Sequence, residues 1–210
     1  METKEANHEL KNFNPIDKTT IWLACACIIL GELITSAHTS DYLTSSYSAG
    51  KLYVLFRLMY KIPLFAGVAL FGGGQIHIFQ QMIKGLKGKP FPLTSLLKTY
   101  IVLVALDAVL VLVLYSKDEL SYGQLGVMVI CAVAELVIGI LIAVKLLSKY
   151  KGNISKAGYA MIMAAAAAFI SLVLGDSIDS DITTILATIV YTVYLCLCLC
   201  NSVSASDNDD

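Results

Sequence analysis

Charge is scarce in this chain: Asp, Glu, Lys and Arg together make up 15% of the residues, where soluble domains carry about 25%. So little charge excludes an ordinary soluble domain. The signatures of common enzyme chemistry are missing as well. There is no glycine-rich phosphate loop followed by Lys and Ser or Thr, no G-x-S-x-G elbow and no H-E-x-x-H. Their absence removes P-loop nucleotide hydrolysis, α/β-hydrolase chemistry and zinc-peptidase chemistry. The histidines are His8, His38 and His77, too far apart along the chain to form one metal site. Cys25 and Cys27, and the closing run Cys196, Cys198 and Cys200, stand two apart; on a helix such neighbours point about 200° apart, so neither group surrounds a tetrahedral metal. They read as small apolar residues, with the last run also a candidate for reversible acylation. No cofactor is expected. A net charge of −1 gives no reason to expect a nucleic-acid partner.

What the chain has instead is apolar length. Hydrophobic residues reach 57% and mean hydropathy is +0.74. A membrane span needs about 20 mostly apolar residues, and six stretches qualify: 19–38, 52–79, 97–115, 122–147, 157–175 and 182–200. The predicted fold is all-α, a polytopic integral membrane protein with six transmembrane helices in three hairpins. Residues 1–18 read as a mobile tail, 19–200 as the membrane domain and 201–210 as an acidic tail. The first run could instead serve as a signal peptide, with Thr35 and Ala37 at a cleavage-like spacing; Glu32, which interrupts its apolar core, counts against this. Lysines set the orientation, because short lysine-rich loops stay cytoplasmic. Lys4, Lys11, Lys18, Lys84, Lys87, Lys89, Lys98, Lys145, Lys149, Lys151 and Lys156 fall on one side, against Lys51 and Lys117 on the other. Both termini are therefore predicted to be cytoplasmic.

Five charges interrupt the spans, and they are the candidate site. Arg57 and Lys61 stand at i, i+4 on one face of the second helix, about 9 Å and 15 Å below its outer end if the helix starts near Lys51. Glu32, Asp107 and Glu135 lie about 10, 12 and 20 Å below the outer ends of the first, third and fourth helices. Charges at such depth pair inside the bundle, so Arg57 is expected beside Glu32 or Asp107, and Lys61 beside Glu135. Three acids against two bases leave one carboxyl to be protonated or to hold a cation. The same cluster could equally serve only to fix helix packing. The second helix also carries Pro63 and the run Gly72–Gly73–Gly74, which suit either a local unwinding or a close approach by a neighbouring helix. In the fifth helix, five consecutive alanines predict a smooth packing face.

The turn "KGLKGKPF" places Lys84, Lys87 and Lys89 against the cytoplasmic leaflet, a basic surface for anionic lipid or a soluble protein partner. Its residues Gly88, Lys89, Pro90 and Phe91, with the helix order over residues 19–150, resemble small uncharacterised four-helix bacterial membrane proteins with a G-K-P-F-S-like turn. That resemblance implies a non-enzymatic protein of the bacterial inner membrane. His38 and Asp41, followed by "YKIPLF", more faintly resemble membrane-bound sugar acyltransferases, although Lys61 stands where their second histidine would be. The readings carried forward are a regulatory or partner-binding membrane protein, a small proton- or ion-coupled transporter using the buried charges, and an acyltransferase-like enzyme that would need His38.

Overall fold

The computed structural model describes residues 16–42, 50–86, 91–116, 122–150, 152–174 and 178–204. They form six helices: α1 (Lys18–Tyr42), α2 (Gly50–Gly85), α3 (Phe91–Ser116), α4 (Tyr122–Lys149), α5 (Gly152–Leu174) and α6 (Ile178–Ser204). Five of these, α1 to α4 and α6, contain stretches long and apolar enough to cross a membrane. α5 is not among them, and most of its side chains beyond Ala167 lie outside the described residues.

The start of α1 shows how local chemistry sets an end. The Asp17 Oδ1 accepts a hydrogen bond from the Thr19 N–H at 3.0 Å, and the Asp17 carbonyl accepts from the Thr20 hydroxyl at 2.9 Å. Asp17 is thus an N-cap, the kind of residue whose loss costs about 1 kcal/mol. Ile16 before the cap and Ile21 four residues after it are both buried in the same core, the pattern of a hydrophobic staple. Ile16, Asp17 and Lys18 are thus part of the folded bundle although they fall within the segment expected to be a tail; at the other end α6 runs on to Ser204. Between α4 and α5 the chain reverses within a few residues. Gly152 takes a φ of +72° there, a conformation that costs glycine nothing and other residues more.

Each helix packs on its neighbours in the chain, and α6 returns to pack on α1. The bundle is therefore a closed ring in chain order. Its direction alternates, because one core cluster collects the start of α1 (Ile21, Cys25), the end of α2 (Met82), the start of α3 (Leu97), the end of α4 (Leu146), the start of α5 (Ala157) and the end of α6 (Leu199). This cluster plugs the end of the ring where Lys18, Lys84, Lys149 and Lys156 are exposed. The outer surface is the reverse of a soluble protein's: Ile130 is 69% exposed, and Val102, Leu186 and Phe169 are over half exposed. Such a continuous apolar exterior suits lipid.

α2 is one uninterrupted helix of 36 residues through Pro63 and the three glycines, so the unwinding that Gly72–Gly74 permits does not occur. The glycines serve close approach. A Cβ at Gly31 of α1 would lie 2.5 Å from the Phe71 nitrogen and 2.6 Å from the Gly67 carbonyl oxygen, and one at Gly74 would lie 2.7 Å from the Ala24 carbonyl oxygen. The two backbones touch, which only residues without a Cβ allow. These contacts also fix register: Gly74 lies beside Ala24 and Ile28, Gly67 beside Gly31 and Thr35.

A candidate acidic cavity in the membrane domain

A ring of six helices is too wide for side chains to fill everywhere, and small residues decide where it stays open. Above the plug lies a cavity of about 370 Å³ to which every helix contributes. The α5 wall is Met161, Ala164, Ala165 and Ala167, so part of the alanine run expected to pack closely instead leaves room. The close packing of α5 is made lower down, where Gly158 sits against Ala143 of α4. The floor is aromatic. Tyr100 of α3 meets Phe79 of α2 edge to face, ring centroids 4.8 Å apart, and a Cβ on Gly139 of α4 would touch both Tyr100 and Met161.

Glu32, Asp107 and Glu135 all line this cavity. Counted from the lysine-rich ends of α1, α3 and α4, they stand at about 21, 24 and 21 Å, close to one level. Asp107 and Glu135, on adjacent helices, are near enough to interact electrostatically with each other and with the Tyr100 phenol. Glu32 acts in the same way on Tyr191 of α6. In a ring α1 lies opposite α4, so the acids form two poles, one on α3 and α4 and one on α1. The Oε1 of Glu135 is buried and has no hydrogen-bond partner among the described residues. That is costly, since a carboxylate placed at such depth costs about 2.5–3.5 kcal/mol. No lysine or arginine among the described residues lines the cavity.

Of the two predicted bases, Lys61 does not line the cavity that holds the acids, and the Arg57 pairing lies outside the described residues. The α1–α2 register sets Gly67 and Phe71, not Lys61, beside Gly31 and its neighbour Glu32, and Lys61 stands six to ten residues further along α2, about 9–15 Å away along the helix axis. It is half-buried, engaged in a contact, and not a wall of the cavity. The expected Lys61–Glu135 pair is not made at Oε1. Arg57 lies one turn beyond, and its side chain, like those of His38 and Asp41, falls outside the described residues. Lys84 is exposed at the lysine-rich end, while Lys87 and Lys89 fall outside the described residues. Among the described residues no three His, Cys, Asp or Glu side chains converge as metal ligands.

The cavity also holds groups that the charge pattern did not mark: Gln75 of α2, Thr184 and Thr188 of α6, and Tyr191, which lies within hydrogen-bonding reach of Gln75 and Thr188. Thr184, Thr188 and Tyr191 follow an i, i+4, i+7 spacing in an apolar helix, and that stripe was the available signal. The chain matches no family model, and no curated protein or solved structure is detectably similar to it. What it does is therefore a question of the chemistry of this cavity.

Proposed function

We propose that this protein is a small carrier of the plasma membrane that exchanges a cation for protons through the acidic cavity. The proposed membrane arrangement is six spans with both termini cytoplasmic, since the exposed lysines gather at one end of the ring and each is worth about 1 kcal/mol of attraction to an anionic leaflet. The observation that carries the reading is the level set of Glu32, Asp107 and Glu135 around one cavity with no lining lysine or arginine among the described residues. A buried carboxyl oxygen with no hydrogen-bond partner among the described residues, as at Glu135, is costly at mid-membrane in a fold whose whole stability is only about 5–15 kcal/mol. A group of them around open volume is the arrangement a cation or a proton relieves. A carboxylate that binds either a cation or a proton, but not both at once, couples the two. The plug of Met82, Leu97, Ile142, Leu146 and Leu199 closes the cytoplasmic side of the ring, so a carrier cycle alternates this state with one in which the helices part there.

Purified protein in liposomes with a trapped pH dye tests this. External Na⁺, K⁺ or tetramethylammonium, offered in turn, should raise the internal pH as protons leave in exchange for at least one of them. Glu135→Gln should abolish the response, and Lys84→Gln should keep it. If wild type and Glu135→Gln respond alike to all three cations, the carrier reading fails.

The partner-docking reading belongs to the other end of the molecule. Lys84, Lys87 and Lys89 would supply it, and it is compatible with a carrier. The acyltransferase reading would have to rest on His38, which has no counterpart among the cavity groups.

A further inference from the structure

We infer that the ligand of the cavity is a small organic ammonium ion, not a metal ion. This rests on the reading of the cavity as a cation site and adds the chemical class that fits it. A bare metal cation needs several oxygen donors converging within about 2.0–2.6 Å. No three described acids meet as a ligand set: Asp107 and Glu135 form one pole, and Glu32 lines the cavity from α1. What the walls do offer is distributed. The α3–α4 side supplies Asp107 and Glu135, the latter with an unsatisfied buried oxygen. Phe71, Tyr100 and Tyr191 line the same cavity, and aromatic faces attract organic cations within about 6 Å of the ring centroid.

Size points the same way. A volume of about 370 Å³ belongs with pockets of roughly 300–1,000 Å³ that hold small organic molecules, and a dehydrated inorganic ion would leave most of it empty. The remaining surface suits a molecule with two ends. The ammonium head sits by Asp107 and Glu135, whose carboxyl groups balance its charge. The carbon tail extends along Val68, Val104 and the alanines of α5, which are apolar and offer no hydrogen bond that the tail would have to match. Gln75, Thr188 and Tyr191 line the far wall and accept a polar group on a longer ligand.

The test is a binding measurement on the full chain in nanodiscs, with n-butylammonium as the probe and Na⁺, K⁺ and Mg²⁺ as competitors, read by calorimetry against empty nanodiscs. Butylammonium should bind saturably and outcompete each inorganic ion at equal concentration. Glu135→Gln should weaken it at least tenfold, and Phe71→Leu, which keeps an apolar wall but removes a ring, about threefold. Lys84→Gln, exposed and remote, should bind as wild type and shows that the preparation is sound. No saturable binding to wild type, or binding that Glu135→Gln and Asp107→Asn both leave intact, overturns the inference. The two proposals fail separately. Proton exchange driven by Na⁺ or K⁺, dependent on Glu135 and without butylammonium binding, overturns the ligand class and keeps the carrier; Glu135-dependent butylammonium binding without any cation-driven proton flux does the opposite.

Discussion

Replacing Gly31 with Ala tests the packing on which the cavity depends. The added methyl would fall 2.5 Å from the Phe71 nitrogen, 2.6 Å from the Gly67 oxygen and 2.9 Å from the Phe71 Cα. All three are backbone atoms of α2, so no side chain can turn aside. Ordinary contact begins near 3.4 Å, so α1 and α2 must separate by roughly 1 Å at this level, and a gap of that size forfeits a quarter to a half of each contact's dispersion energy. Overpacking of this kind costs about 1–3 kcal/mol. Against it stands the helix preference of Ala over Gly, worth about 1 kcal/mol. The net expectation is a loss of up to about 2 kcal/mol. Gly73 supplies the control: nothing lies within 4 Å of a Cβ built there, so Gly73→Ala keeps the preference without the clash and should gain up to about 1 kcal/mol. Denaturant titration in mixed micelles, followed by circular dichroism, should rank Gly73→Ala above wild type and Gly31→Ala below it. A Gly31→Ala protein as stable as wild type would refute backbone contact between α1 and α2, and with it the register that separates Lys61 from Glu32.

Three further outcomes follow from the ring and its orientation. The buried thiols of Cys25 and Cys196 meet across the seam where α6 closes on α1, so in a chain with Cys27, Cys131, Cys198 and Cys200 replaced by Ala, diamide should oxidise the pair to a disulfide. Maleimide labelling after denaturation would then find neither thiol, and retention of both would contradict closure of the ring at this level. A fluorescent reporter fused after Asp210 should glow and a phosphatase fused there should be inactive, with Asn153 of the Asn-Ile-Ser sequon unglycosylated in microsomes; an active phosphatase inverts the proposed orientation. Neutralising Lys84, Lys87 and Lys89 together should weaken binding of the protein's cytoplasmic face to anionic vesicles by roughly 3 kcal/mol at low salt, and unchanged binding measured by flotation would leave those lysines only a topological role.

The sequence by itself determined that the chain is helical and built for lipid. Runs of about 20 apolar residues separated by polar turns leave no other way to satisfy the backbone, and five of the helices found contain stretches long and apolar enough to cross a membrane. It also singled out Glu32, Asp107 and Glu135, because a carboxylate in an apolar helix stands out in one dimension. Tertiary structure decided which charges meet. Depth counted from an assumed outer end put Lys61 among the acids, but α2 is 36 residues long and its height is set by glycine contacts with α1 at Gly31, Gly67 and Gly74. A helix slides freely along its axis in a sequence reading, and only contact with a neighbour fixes it. The cavity was hidden for a related reason. Ala164 and Ala165 read as close packing in a helix taken alone, yet empty volume belongs to no single helix: it is what remains when six helices close a ring and small residues such as Gly72, Ala108, Ala132 and Ala164 line its centre.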